Sequence, residues 1–358
     1  MPLEKIVKVT LFNWSHTMWL GGCGREMDYR RLGQCGVKVS ALCLGTMNFG
    51  SKVDETTALR LVHEAVDSGV NFIDTANVYG RGRSEEIVGK AIQGMREDLV
   101  LATKVRHRMG PGPNDEGLSR KHIMHEVEAS LRRLNTEYID IYYVHRPSNV
   151  DLQRGYFGEP IPMKETLSTL TELVSSGKVR YIGCSNFPAW LLCKALWMSD
   201  KYGFESYVVS QPRYNLFQRE IEREVIPLCV DQGVGIVPYS PLAGGVLTGK
   251  YRAGSPPPRG SRGEAQLNWI MTHGFHWEDD NNLQTLEGLE ALSTTLDLPM
   301  TQLALAWLLS NPAITSPIIG ASNLQQLEEN LASVDVRLSQ ANLDAINRVA
   351  PRMGPYYT

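Results

Sequence analysis

Several absences narrow the reading before any motif is considered. No apolar run approaches the ~18 residues that a membrane-crossing helix requires. The six cysteines (Cys23, Cys35, Cys43, Cys184, Cys193 and Cys229) are scattered and form no Cys-x-x-Cys pair. That removes the spacings of a structural zinc site or a dithiol redox motif, and it favours buried free thiols in a reducing cytosol with no metal bound. Positive charge is not in excess. The 358 residues carry a formal net charge of −3, which argues against a nucleic-acid or membrane-surface partner. No internal repeat shorter than a strand–helix unit is visible.

What is present is a regular alternation. Hydrophobic residues make up 42% of the chain, enough for a large core. Residues 1–26 read as an upstream extension, expected to be poorly ordered. Leu20-Gly21-Gly22-Cys23 faintly resembles a lipoprotein cleavage box, but Asn13, Ser15, His16 and Thr17 interrupt the apolar segment that a leader needs. Residues 27–358 read as a single domain. It opens with a hairpin, Tyr29–Leu32 against Val37–Val39, turned at Gly33-Gln34-Cys35-Gly36. Short apolar strands follow at Ala41–Gly45, Phe72–Asp74, Val100–Lys104, Ile139–Val144, Tyr181–Cys184, Val208–Gln211, Ile236–Tyr239 and Ser316–Gly320. Helical patterns separate them, with Ser84 and Ser119 placed as N-caps and Gly69, Gly177 and Gly233 as left-handed stops. Eight strands joined by helices indicate parallel pairing, and closure into a (β/α)₈ TIM barrel is the expected fold. The competing doubly wound sheet needs a phosphate turn after its first strand, and Leu44–Gly50 is not Gly-x-Gly-x-x-Gly. After the seventh strand, a long connection between Tyr239 and Leu286 carries little periodicity.

Three of these strands end in an ionisable residue: Asp74, Lys104 and His145. Tyr79 lies five residues beyond Asp74. In a barrel the carboxyl ends of the strands share one rim. There a lysine ammonium beside a phenol favours the phenolate and lowers its pKa from about 10. An aspartate would hold that lysine, and a histidine would donate a hydrogen bond to a substrate oxygen. The group suits proton transfer to a carbonyl rather than hydrolysis, since it holds neither metal-ligand spacing nor a nucleophile–base pair.

These residues, with Leu42–Phe49, Ser84-Glu85, Thr103-Lys104, His145-Arg146-Pro147, Gly183–Asn186, Gln211–Asn215, Tyr239–Gly245 and Pro317–Ser322, resemble the aldo-keto reductases from about Met27 to the last helix. The branch resembled includes bacterial and fungal general aldo/keto reductases and potassium-channel beta subunits. The resemblance implies a catalytic tetrad of Asp74, Tyr79, Lys104 and His145, with Tyr79 as the acid in reversible carbonyl reduction by NAD(P)H. It places the nicotinamide end of the cofactor at Ser185, Asn186, Gln211 and Tyr239, with Thr46, Met47 and Asp74 beside it. The pyrophosphate falls at Ser240, Pro241, Leu242, Gly244 and Lys250, and the adenosine end at Gly320, Ser322, Gln326, Glu329 and Asn330. Arg262 and Lys250 would favour NADPH over NADH, although an arginine common in relatives is missing at Ser322 and Gln326, which leaves NADH open. Small carbonyl substrates would meet Tyr79, His145, Phe49 and Arg146, with Met47, Val78 and Arg106 completing the walls. The resemblance to channel beta subunits, centred on Gly320–Asn330, carries an alternative: a cofactor-holding regulatory subunit with little turnover. Those relatives replace the tetrad histidine, whereas His145 is present. A monomeric cytoplasmic protein is expected.

Bland readings stand beside these. His63, His107, His122 and His125 read as solvated surface, as do Arg30-Arg31 and Arg132-Arg133. Trp190, Trp197 and Trp307 read as packing between helix and barrel, and Cys184 as an inert buried thiol.

Overall fold

The structure is a computed structural model that describes residues 27–148, 161–251, 256–259, 261, 263, 264 and 280–351. The extension expected over residues 1–26 lies outside them. The hairpin forms as its turn residues require. Strands β1 (Tyr29–Arg31) and β2 (Lys38–Ser40) pair antiparallel with Arg30 opposite Val39. Gly33 takes φ +60°, and a Cβ there would lie 2.6 Å from the carbonyl oxygens of Gly233 and Val208. The turn is thus pressed against the chain entering two later strands, where only glycine fits.

Eight parallel strands follow: β3 (Cys43–Gly45), β4 (Phe72–Asp74), β5 (Val100–Val105), β6 (Ile139–Val144), β7 (Val179–Ser185), β8 (Tyr207–Gln211), β9 (Gly235–Ile236) and β10 (Ile318–Ile319). They lie side by side in chain order, and β10 pairs with β3. The amides of Thr315 and Ile318 donate to the carbonyls of Ile236 and Pro238, both at 2.8 Å, and these two bonds close the ring between β9 and β10. The fold is the expected TIM barrel.

Two apolar cores result from the two faces of each strand. Inside the ring, Cys43, Phe72, Val100, Ala102, Ile141, Val209 and Ile318 pack together, and the hairpin adds Leu32 and Val39 as a plug at the amino-terminal end. Outside it, helices α1 (Glu55–Asp67), α2 (Arg83–Ala91), α3 (Arg120–Leu134), α4 (Met163–Ser175) and α5 (Ala189–Tyr202) contribute Leu61, Ile87, Ile123, Leu170 and Leu192 among many others. Each such side chain, fully buried, is worth roughly 1.5–3 kcal/mol. Asp54 and Ser119 cap α1 and α3 by accepting from the amides of Thr57 and His122. Gly69, Gly177 and Gly233 all take positive φ at helix ends.

Some elements depart from the sequence reading. Ser84 lies inside α2 and caps nothing; its buried hydroxyl donates to the Thr46 carbonyl and bonds the hydroxyls of Thr46 and Thr75. Helix α6 spans Val225–Gln232. The preceding Arg219 is anchored to the Ala350 carbonyl, Asn347 and Glu222. Helix α7 (Asp280–Thr295) occupies the end of the connection read as aperiodic. Helices α8 (Met300–Leu309), α9 (Leu324–Leu331) and α10 (Gln340–Val349) are the last among the described residues. Trp190 and Trp197 are each 55% exposed rather than packed, whereas Trp307 is buried against Tyr214. Arg30 is also no surface residue, since its guanidinium donates to the carbonyls of Ile314 and Leu309. Among the described residues no helix is long and apolar enough to cross a membrane.

Candidate active site

The period of two along each strand builds the site. On β4, β5 and β8 the interior positions run Phe72 to Asp74, Val100 through Ala102 to Lys104, and Val209 to Gln211, apolar at the bottom and polar at the top. On β6, Ile141 and Tyr143 continue in the same phase to His145, one residue past the strand, whose amide still donates to the Val105 carbonyl at 3.0 Å. The register places Asp74 beside Ala102 and Lys104 beside Tyr143.

The Lys104 ammonium is fully buried and spends its hydrogens on three partners: the Asp74 carboxylate, the Thr75 carbonyl at 2.8 Å and the Tyr79 hydroxyl at 3.4 Å. Asp74 is held on its other oxygen by Gln211 Nε2 at 2.8 Å. The His145 ring stands edge-on to Tyr79, with centroids 5.9 Å apart. The four residues expected as a tetrad therefore meet at one rim of the barrel. Burial would lower the Lys104 pKa, but Asp74 and Tyr79 outweigh it and the ammonium is held above its usual range. Burial pushes the Tyr79 phenol up, and Lys104 offsets only part of that rise. The expected net lowering is absent from the free protein, because desolvation of a phenolate costs more than the lysine returns. Burial, reinforced by Lys104, His107, Arg146 and Arg106, keeps His145 well below its ordinary value, so it is neutral at pH 7. A neutral imidazole has one N–H to give and one lone pair, and its Nδ1 has no partner.

A second cluster lies across the rim. Ser185 Oγ donates to the Gln211 carbonyl at 2.8 Å. Asn186 Nδ2 donates to the His145 carbonyl at 3.0 Å and to Ser185 Oγ at 2.9 Å, and Tyr239 OH donates to Asn186 Oδ1 at 2.7 Å. Asn186 and Ser240 hold φ values of +61° and +56°, uncommon for residues with a side chain and characteristic of functional loops. Beyond Pro241 and Leu242 the chain turns at Gly244 and Gly245, both with positive φ. A Cβ on Gly245 would meet Lys250 Nζ at 2.9 Å, so the ammonium rests on this turn. Gly320 is exposed, and a Cβ there would touch nothing within 4 Å. Asn330 is buried and donates to the Gly320 carbonyl at 3.2 Å. A partly exposed tyrosine ring, strained polar loops, a glycine turn carrying a lysine, and an open glycine together fit a dinucleotide laid across the rim.

Not every expected position behaves as read. At the expected adenosine end the first amides of α9 are partly satisfied locally: Asn323 caps α9 by accepting from the Gln326 amide, and Gln326 Oε1 accepts from the Ser322 amide at 2.9 Å. Ser322 and Gln326 are exposed, and Glu329 is half-buried. Thr46 is buried, with its hydroxyl spent on the Asp74 carbonyl and Ser84. Phe49 does not face the pocket. It is 1% exposed and lies in the outer core, because its amide bonds Thr46 in a tight turn and the chain doubles back to pair Gly50 with Val53. Met47, 41% exposed, is the apolar side chain at this corner. Arg146 is partly exposed beside His145. Arg262 lies outside the described residues.

Two features escaped the sequence reading. His107, taken for surface, packs edge-on against His145 with centroids 4.6 Å apart. Burial, with help from Arg106 and Arg146, brings its pKa to about 4. The loop carrying Tyr79 is braced from behind: Asn77 donates to buried Glu126 at 2.9 Å, and Arg133 joins Glu126 to Glu85, which accepts from Thr103 at 2.6 Å. Arg133 is therefore no free surface charge, and His122 is buried. Only the arrangement of helices α2 and α3 against the sheet brings these groups together.

Comparison with known proteins decides the lineage. The model of the Aldo/keto reductase family matches residues 41–351. The chain belongs to this family. Similar relatives include an uncharacterised oxidoreductase, YrpG, of Bacillus subtilis, 40% identical over 92% of this chain and 97% of its own. A probable voltage-gated potassium channel subunit beta of Arabidopsis thaliana is 38% identical over 90% of this chain and 96% of its own. An aldo-keto reductase of Fusarium vanettenii is 35% identical over 88% and 89%. Aldo/keto reductases reduce carbonyl groups with a nicotinamide cofactor, and the chain is an oxidoreductase of that class.

Proposed function

We propose that this protein reduces small aldehydes or ketones to alcohols with NADPH, and that Tyr79 supplies the proton. The observation that carries the reading is the Tyr79 hydroxyl, 3.4 Å from a buried, charge-paired lysine and flanked by a neutral histidine. When bound, a reduced nicotinamide would supply a hydride for the carbonyl carbon. His145 donates a hydrogen bond to the carbonyl oxygen and so orients it. Tyr79 passes its proton to that oxygen as the alcohol forms. A phenol held above its usual pKa stays protonated until this moment. Lys104, kept charged by Asp74, then stabilises the phenolate left behind, and solvent restores the proton. Ser185, Asn186, Gln211 and Tyr239 would hold the nicotinamide end, with Ser240, Leu242, Gly244 and Lys250 on the phosphates. Lys250 at the glycine turn supplies a cation for the pyrophosphate, which NADPH and NADH share, so the preference for NADPH rests on the expected role of Arg262. A reducing cytosol is the proposed compartment, and the described cysteines are free thiols.

Tyr79→Phe tests the assignment. Reduction of a carbonyl panel, followed by loss of absorbance of the reduced cofactor, should fall by about 10²–10⁴-fold, while NADPH affinity by fluorescence titration stays unchanged. Equal turnover by the variant would remove Tyr79 from the chemistry. The relatives named as channel beta subunits support a second reading, a cofactor-holding regulatory subunit. Tight NADPH binding with negligible turnover across the whole panel would favour it.

A further inference from the structure

We infer that Arg133 is a positioning residue for proton transfer: from helix α3, behind the rim, it holds the Tyr79 hydroxyl within reach of the Lys104 ammonium. The inference rests on the reductase reading and adds to it a residue that the reacting groups never touch. Helix α3 carries two adjacent arginines that their residue type does not distinguish. Arg132 is exposed, whereas the Arg133 side chain is 19% exposed and committed to three partners. Its Nε donates to Glu85 at 2.5 Å, and its terminal nitrogen donates to Ser130 at 3.2 Å and lies 3.5 Å from Glu126.

Two of those partners lead to the two members of the reacting pair. Glu126 is buried and accepts from Asn77 Nδ2 at 2.9 Å, two residues before Tyr79. Glu85 is also buried and accepts from the Thr103 hydroxyl at 2.6 Å, one residue before Lys104 on β5. A further contact is direct. Gly82 lies three residues after Tyr79, and a Cβ there would meet Arg133 Cδ at 2.6 Å, so the loop rests on the stem of the arginine. The loop needs such a wall. Gly80, Arg81 and Gly82 take φ values of +56°, +55° and +94°, three left-handed residues in succession. Arg81 brings a side chain into a region that L-residues avoid, and such backbone persists only where its surroundings hold it. The contact at stake has little slack, since the Tyr79 hydroxyl stands 3.4 Å from Lys104 Nζ, at the long end for a hydrogen bond. Lys104 keeps its own anchors in Asp74 and the Thr75 carbonyl. Loss of the brace therefore moves the phenol and leaves the ammonium in place. A misplacement of about 1 Å costs about 10²-fold in rate.

The test uses Arg133→Lys and Arg133→Met in the full chain. Arg133→Lys keeps a charge beside Glu85 and Glu126, so neither carboxylate is stranded, but it loses the guanidinium fork and the packing on Gly82. Active sites are counted by NADPH titration, which removes any loss of folded protein from kcat. The expected result is a kcat lowered about tenfold in Arg133→Lys and about a hundredfold in Arg133→Met, with KM and NADPH affinity within a factor of about three. Arg132→Met, on the same helix, should leave kcat unchanged. Asn77→Ala should also lower kcat, and combined with Arg133→Lys it should lower it by less than the product of the two single effects. NMR of protein labelled with carbon-13 at the tyrosine Cζ reads the hydroxyl without turnover, and the Tyr79 signal is the one missing in Tyr79→Phe. That signal should move in Arg133→Lys and stay in place in Arg132→Met. An unchanged kcat in both Arg133 variants, a loss carried by KM or NADPH affinity, or an unmoved Tyr79 signal overturns the assignment and leaves the reductase reading standing. If the wild type reduces no carbonyl, the reductase reading falls and the Tyr79 signal alone decides. Displaced in Arg133→Lys, it keeps Arg133 as the residue that places the phenol; unmoved, both readings fall.

Discussion

Removing the Lys104 ammonium by Lys104→Met is the most informative single perturbation, because its effect on stability can be worked from the contacts. Both partners of the Lys104–Asp74 pair are buried, at 0% and 3% side-chain exposure. The substitution leaves the Asp74 carboxylate with Gln211 as its one remaining side-chain partner, and it leaves the Thr75 carbonyl without its lysine donor. Stranding one charge of a buried pair costs about 3–5 kcal/mol. With a urea slope near the upper end of about 1–3 kcal/mol per M, the unfolding midpoint should fall by about 1–1.7 M. Adding Asp74→Asn removes the stranded charge, and a side-chain amide can still bond Gln211. The double variant should therefore recover at least about 2 kcal/mol relative to Lys104→Met alone. Urea unfolding followed by tryptophan fluorescence reads both quantities. Neither variant should reduce carbonyls, so recovery of stability without recovery of turnover separates the two roles of the pair. Simple additivity, with the double variant as unstable as the sum of the single changes, would refute the coupling.

Further outcomes follow from the glycine positions and the buried histidine. A Cβ on Gly89 would lie 2.6 Å from the backbone of Leu134, so Gly89→Ala should push α2 off α3 and cost about 1–3 kcal/mol in the same urea assay, while Gly320→Ala, facing open space, should leave stability within about 0.5 kcal/mol. Gly320→Ala should nevertheless weaken NADPH in a fluorescence titration, and an unchanged affinity would take Gly320 off the cofactor surface. For His107 the folded value is about 4 against an ordinary 6.5. The unfolded chain therefore takes up a proton that the folded chain refuses, and stability that is complete above pH 6.5 is lost as pH falls toward about 4. Wild type should lose more urea resistance between pH 7.5 and pH 5 than His107→Asn; parallel losses would contradict the burial of a neutral ring.

How much of this was legible depended on whether the cause was local. Apolar runs ending in Asp74, Lys104 and His145 were visible because strand periodicity and the position of a strand's end are sequence properties. The barrel followed from the count of alternating elements, and the hairpin from its glycines. Phe49 was misplaced because a tight turn from Thr46 reverses the chain, and nothing in its composition announces the reversal. His107 stood three residues past Lys104 in a polar loop and reached His145 only through tertiary folding. The brace of Asn77, Glu126, Arg133 and Glu85 draws on three separate segments, the loop after β4 and helices α2 and α3, so it had no sequence signature. At α9, Asn323 and Gln326 satisfy the first amides locally, which residue types at the expected adenosine end did not announce.

The way the ring is sealed has a consequence for biosynthesis. The edge of β3, made early, finds its partner only when β10 has left the ribosome. Through most of translation the nascent chain therefore carries an open, curled sheet with a row of unpaired backbone donors and acceptors, the kind of surface that recruits neighbouring chains. Short margins at Cys43–Gly45 and Ile318–Ile319 keep that exposed ribbon small, and the early hairpin gives the interior side chains something to pack on while the cylinder waits for its last stave.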